Sequence, residues 1–166
     1  MSEVTIRPAR QEDLPAVGEL TFSAYHEDGH ISGGPDSYYA KQLANARPRY
    51  QEAELLVAVD GADTVLGTVT IAHPGSTWRE IGRDDELEFR MLAVSPLARG
   101  KGVGEALTRH VLDEAVRLGF TAVVLSSSQS MRAAHRLYER FGFRRTPERD
   151  WSPMPGTPLI TYRLDL

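Results

Sequence analysis

The sequence predicts a single α/β domain over residues 1–166, with a mixed β-sheet and the element order β-α-α-β-β-β-α-β-α-β-β. Three observations predict it. Short apolar or alternating runs, suited to strands, recur between segments whose apolar residues step by three or four. The 166 residues suffice for one domain with a real core and are too few for two comfortable ones. No repeat, linker or low-complexity stretch divides the chain.

Val4-Thr5-Ile6-Arg7 alternates and is stopped by Pro8, as in a short edge strand, because proline has no N–H for a central ladder. A helix follows from about Asp13, with Pro15 in its first turn and Leu14, Val17, Leu20 and Ala24 on one face. Tyr25 to Asp36 is dense in turn formers and lacks a period, so it reads as a loop. A second helix covers about Ser37 to Ala46. Leu55 to Val59 and Val65 to Ala72 form a hairpin through a Gly61/Asp63 turn. Leu87 to Val94 is a third strand, ended by Pro96. A long helix then starts in a glycine turn, with Val103, Leu107, Val111, Ala115 and Leu118 on one face and Gly119 at its left-handed cap. Thr121 to Leu125 is a buried strand. Ser130 caps a helix whose Ala134, Leu137, Tyr138 and Phe141 share a face, and Gly142 closes it. Strands near Phe143 to Arg149 and Leu159 to Leu164, around a proline-rich loop, complete the order.

The formal net charge of -4 argues against a nucleic-acid backbone as the partner, since such binders gather a basic excess. The absence of cysteine excludes a disulfide framework, thiolate chemistry and a Cys-ligated metal. The N-terminus has neither the basic start nor the apolar run of a signal peptide. No apolar stretch approaches the roughly 18 residues of a membrane helix. The expectation is a cytoplasmic protein without a membrane partner. His26 and His30 have the spacing of a helical metal pair, but Gly29 lies between them and no third ligand is indicated, so no metal is expected.

Arg99-Gly100-Lys101-Gly102-Val103-Gly104 follows a strand and opens an amphipathic helix. Such a turn offers free backbone N–H groups and the positive end of a helix dipole, and glycines let a phosphate approach the backbone. The alternative is a turn that serves tight packing only. A Rossmann fingerprint would need glycine at Glu105 or Leu107, and a Walker loop would need Ser or Thr directly after Lys101; neither is present.

The remaining pattern, R-x-x-G-x-G after a strand ended by V-x-P, resembles the acetyl-CoA turn of the GNAT superfamily of N-acetyltransferases. Ser130 to Phe143, with Leu137-Tyr138-Glu139 before Gly142-Phe143, resembles that superfamily's second signature. The resemblance runs from Ile6-Arg7-Pro8 to the last strand. It implies central strands that splay apart, with acetyl-CoA as co-substrate between them. Leu92, Ala93 and Val94 would pair with the pantetheine arm, and the Arg99, Gly100, Lys101, Gly102, Val103 and Gly104 turn would hold the phosphates. Where the superfamily often has asparagine this chain has Met131, which leaves that polar contact to backbone or to Ser128, Gln129 or Ser130.

Direct attack of a primary amine on the thioester requires a neutral amine, a polarised carbonyl and a proton for the departing thiolate. By resemblance, Tyr138 supplies that proton and the Val94 N–H binds the oxyanion; the other reading of Tyr138 is packing. Glu88 is the candidate base, on a strand where period-two alternation puts Glu88, Arg90, Leu92 and Val94 on one face. Its other reading is a strand salt bridge with Arg90, and Glu86 is a weaker candidate base. Tyr25, His26 and Glu27, with Asp28, border the acceptor pocket in the resemblance; Trp78 and Trp151 fall near loops that could line it. His110 and His135 are expected in surface or packing roles. The acceptor would be a small-molecule or peptide amine, and the last strands are candidates for pairing across a homodimer. The competing function is a non-catalytic acyl-CoA-binding sensor.

Overall fold

The computed structural model describes residues 3–27, 38–153 and 155–166. Strand β1 (Thr5–Pro8) leads into helix α1 (Leu14–Glu27), followed by α2 (Tyr38–Ala44) and α3 (Arg47–Glu52). Next come β2 (Glu54–Val59), β3 (Val65–Ala72) and β4 (Glu86–Val94), then α4 (Val103–Leu118), β5 (Ala122–Ser128), α5 (Arg132–Phe141), β6 (Arg144–Arg145) and β7 (Leu159–Asp165). The strands form one mixed seven-stranded sheet in the order β1-β2-β3-β4-β5-β7-β6, in which only β4 and β5 are parallel. Pro8 sits in the edge strand, where its missing donor breaks no central ladder.

Both faces of the sheet are covered, which is why β2 reads as a continuous apolar run. Its Leu56 and Ala58 join Val69, Ile71, Leu87 and Phe89 under α4 and α5. Its Leu55, Val57 and Val59 pack on the α1 side with Leu14 and Val17. Gly67 of β3 lets α4 sit directly on the sheet: a Cβ there would be 2.7 Å from Val103 Cγ1 and 3.1 Å from Leu107 Cδ1.

Four expectations change. The α1 helix continues through Glu27, so Tyr25, His26 and Glu27 are helical rather than loop; the rest of the expected loop, with His30, lies outside the described residues. Arg47 to Glu52, given no element from the sequence, is α3. Ser130 does not cap α5: the N-cap is Met131, and the Ser130 hydroxyl lies 3.1 Å from that of Ser128. The strand expected to reach Arg149 stops at Arg145, because Pro147 cannot donate and starts a 3-10 turn.

Glu86 ties three elements together. It is fully buried, accepts the Arg83 N–H at 2.9 Å, receives both terminal nitrogens of Arg149 at 2.8 and 2.9 Å, and also binds Arg163 of β7. Burial alone would raise its pKa, but the hydrogen bonds from Arg149 and Arg83 and the charge of Arg163 hold it below the usual carboxylate value. Glu86 is therefore an internal ion-network residue, which corrects its reading as a candidate base. Glu86→Gln leaves Arg149 without its ion-pair partner and Arg163 with Asp165 alone. Their partial exposure puts the expected loss at the lower end of the roughly 3–5 kcal/mol seen on breaking buried pairs. A lowered folded pKa means this stability is present above the unfolded value of about 4.3 and is lost as pH falls through the folded one. Urea midpoints at neutral pH and near pH 4 check both parts: the difference between wild type and variant shrinks in acid.

Candidate active site

The parallel pairing of β4 with β5 runs through Glu86–Ala122, Leu87–Val123 and Glu88–Val124 and goes no further. Beyond it the strands part, each still bonded on its outer side to β3 or β7. A bulge bends β4 at this point: Thr68 pairs with Ala93 and Thr70 with Arg90, so β4 carries one extra residue, and Met91 adopts a φ of 54°. Bulges of this kind re-aim side chains, and a non-glycine residue at positive φ carries strain of order 1–3 kcal/mol.

The bulge corrects the face expected from simple alternation. Glu88 and Arg90 stay on the α1 side, and Met91 and Ala93 join them in its core with Leu20, Ala24 and Trp78. Leu92 and Val94 are turned to the α4 side. Because Ser95 donates its N–H to Leu66 O of the β3 side at 2.8 Å, the N–H of the preceding Val94 points the other way, into the gap.

On the α4 side the gap leads to the glycine turn. Gly100 and Gly102 have φ of 79° and 77°, conformations that favour glycine, and a Cβ at either would meet no atom of the described residues within 4 Å. The first α4 bond runs from Ala106 N–H to Gly102 O at 3.0 Å, so the amides of Val103, Gly104 and Glu105 precede it and face outward at the positive helix end. The Arg99 and Lys101 side chains are exposed, while that of Val103 is buried in the core, leaving only its backbone to the turn.

The second sequence signature meets the first here. A Cβ on Gly104 would lie 3.4 Å from Leu137 Cδ2 and 3.6 Å from Val94 Cγ2, so α4, α5 and the end of β4 converge. Next to Leu137, Tyr138 is 5% exposed, with Phe89, Phe143 and Tyr162 rings at 5.9, 5.7 and 6.0 Å. Phe89 is the first β4 residue past the last β4–β5 pair. Burial, with Tyr162 as a further cause, pushes the Tyr138 phenol above the usual tyrosine value and keeps it protonated.

On the α1 side the gap opens into a cavity of about 730 Å³, lined among others by Tyr25, Trp78, Glu80, Arg90, Ser127 and Met131. Of the expected acceptor residues Tyr25 lines it. His26, one residue on along the helix, is exposed and stacks on Phe22 at 5.3 Å, because successive helical residues turn to different faces. The Glu27 side chain lies outside the described residues. Ser128, Gln129 and Ser130 also line the cavity beside Met131, supplying hydroxyl and amide groups there. His135, expected at the surface or in packing, has Nε2 at 3.0 Å from Ser128 O and 3.1 Å from Ser127 Oγ; the carbonyl contact requires a proton on that nitrogen. Trp78 lines the cavity under the Arg90 guanidinium at 5.2 Å, whereas Trp151 supports the wall by donating to Ser126 Oγ at 3.0 Å.

Glu88 has no cavity surface. It is fully buried, and Oε1 accepts three backbone N–H bonds, from Glu80, Ile81 and Gly82 at 2.8, 3.0 and 2.9 Å. It does not bridge to Arg90, whose Nε instead contacts Glu80 at 3.0 Å. Sequence reasoning missed Glu80, which sits in a stretch without period; its place beside the cavity depends on the loop's tertiary anchors. Among the described residues no group of three or more potential metal ligands clusters, and no helix is long and apolar enough to cross a membrane.

This architecture recurs among known proteins. A Salmonella typhimurium protein solved with its cofactor acetyl-CoA superposes with a TM-score of 0.66 at 25% identity, over 98% of this chain and 94% of that one. An uncharacterized N-acetyltransferase of Schizosaccharomyces pombe is 31% identical over 127 residues, 75% of this chain and 72% of that protein. An N-acetylaspartate synthetase of Danio rerio is 41% identical over 73 residues, 44% of this chain; the aligned part is 26% of that protein, so the chain spans about a quarter of its length. The sequence model of the Acetyltransferase (GNAT) family matches residues 16–143, from within α1 to just past α5, and on this match the chain belongs to that family.

Proposed function

We propose that this protein transfers an acetyl group from acetyl-CoA to a primary amine by direct attack on the thioester. One observation carries the reading: the opening between β4 and β5 joins the glycine turn on one face of the sheet to a cavity on the other. A donor and an acceptor can therefore meet in the gap from opposite sides. The turn fits a pyrophosphate, because it has outward amides, two left-handed glycines and no side-chain bulk.

Acetyl-CoA supplies an activated acyl thioester when bound. The backbone of Leu92, Ala93 and Val94 offers a strand edge to its arm, and Arg99 to Gly104 the amides for its phosphates. Arg99 and Lys101 add positive charge at the rim. The Val94 N–H, aimed into the gap, is placed to receive the oxyanion. Tyr138, held protonated by burial, donates to the departing sulfur.

The test is twofold. Calorimetry with acetyl-CoA is expected to show one site per chain. Release of free CoA is then followed with a panel of polyamines, amino acids, arylalkylamines and peptides with free N-termini. Acetylation of at least one class supports the reading. Tight binding without CoA release from any of them would instead favour a sensor of acyl-CoA.

A further inference from the structure

We propose that Glu80 takes the proton of the acceptor's ammonium group, and that Glu88 acts as its positioning residue; this deepens the acetyl-transfer reading and rests on it.

The loop before β4 has little regular structure, yet Glu80 is held from several directions. Glu88 Oε1 gathers the N–H groups of Glu80, Ile81 and Gly82 onto one carboxylate oxygen. Arg149, itself fixed by Glu86, donates to Ile81 O at 2.6 Å. Arg90 donates to Trp78 O at 3.2 Å, and Ser76 Oγ accepts the Trp78 N–H at 3.1 Å while donating to Glu52 O at 2.7 Å. Gly82 fits closely against Glu88, since a Cβ there would be 3.3 Å from both its Cβ and Oε1. A loop tied this way fixes the side chain it carries.

That side chain faces the cavity. The Glu80 side chain is 21% exposed, and Oε1 contacts Arg90 Nε at 3.0 Å. Its second oxygen has no hydrogen-bond partner among the described residues, which leaves an acceptor atom for an incoming ammonium. The charged groups around it are Arg90 and Glu88 from β4 and, elsewhere on the cavity wall, Glu52; Tyr25 is the other titratable side chain there. Burial raises the Glu80 pKa, Arg90 opposes the rise and the Glu88 charge adds to it, with a net shift upward. A carboxylate nearer to working pH is the better proton acceptor. Glu88 lacks both access and a wet oxygen: Oε1 is occupied by backbone, and Oε2 is buried without a partner among the described residues.

The protons balance. The ammonium gives one proton to Glu80, which passes it to solvent through the cavity, and the freed lone pair forms the C–N bond as the C–S bond breaks. The nitrogen loses a second proton on becoming an amide, and this offsets the one that Tyr138 gives to sulfur.

The experiment compares Glu80→Gln, Glu88→Gln and Glu88→Ala using the fastest amine of the panel. Glu80→Gln is expected to lower kcat/KM by roughly 10²-fold near neutral pH, within the usual range for proton transfer. The deficit shrinks as pH rises towards an amine pKa of about 10.4, and acetyl-CoA affinity is unchanged. Glu88→Ala frees the loop and slows turnover. Glu88→Gln restores most of the rate, because an amide oxygen accepts the same three N–H bonds. The proposal is overturned if Glu80→Gln has a pH–rate profile parallel to wild type, or if Glu88→Gln is as slow as Glu88→Ala and shows recovery at high pH. If wild type binds acetyl-CoA but acetylates no amine, the acetyl-transfer reading fails. With no acetylation the role of Glu80 as proton acceptor falls together with that reading, whereas a parallel Glu80→Gln profile in an active enzyme removes that role alone.

Discussion

Gly102→Val is expected to abolish acetyl-CoA binding while the protein stays folded. At φ 77° a β-branched side chain is strained, but its Cβ would meet no atom of the described residues within 4 Å and would project to where the proposed phosphate approaches. Losing two charge-assisted bonds to backbone amides, at about 1.5–3 kcal/mol each, corresponds to roughly 10²- to 10⁴-fold in affinity. Gly119 provides the control. It caps the far end of the same helix at φ 84°, and a Cβ there also meets no atom of the described residues within 4 Å. Gly119→Val thus carries comparable backbone strain at the end of α4 remote from the turn. Calorimetry and thermal melts of the pair separate the two effects: both variants lose similar stability, and only Gly102→Val loses the ligand. Equal affinity in the two would reduce the turn to a packing device.

Tyr138→Phe is expected to cut turnover by at least roughly tenfold, and up to the 10²–10⁴-fold typical of a lost proton donor, with acetyl-CoA affinity unchanged. The substitution is discriminating because the ring is surrounded by Phe89, Phe143 and Tyr162. A phenylalanine keeps all of that packing, so a purely structural tyrosine would give a variant with wild-type kinetics and equal or higher stability. Burial holds the phenol protonated through the neutral range, so its loss should lower the rate without adding a new pH limb below the usual tyrosine value. Single-turnover rates under saturating acetyl-CoA, beside denaturation midpoints, distinguish the outcomes.

The strand and helix order, the glycine turn and the Tyr138 helix were legible because each depends on local rules. Apolar steps of three or four from Val103 to Ala115 mark the buried face of α4, although Leu118, expected to share it, is exposed, and left-handed glycines mark its two ends. The acceptor side was much less legible. Tyr25, His26 and Glu27 read as loop because turn-forming residues follow closely, yet α1 carries on through Glu27 and only Tyr25 of the described side chains reaches the cavity. The loop bearing Glu80 has no periodic pattern, so its position could be learned only from the carboxylate and arginine that hold it.

By itself the sequence determined the α/β class, the two signatures and their order, since hydrophobic period and glycine placement act within a few residues. What only the tertiary structure decided was how those parts face one another. A one-residue bulge at Met91 reverses the faces that alternation assigns to Leu92 and Val94. The end of β4–β5 pairing after Glu88 creates the gap, and three backbone amides turn Glu88 from a cavity-facing candidate into an internal anchor. Each of these depends on bonds between segments distant in sequence. Strand alternation predicts a side chain's face only while the register is unbroken, and a carboxylate's partners follow from whichever backbone the fold brings to it.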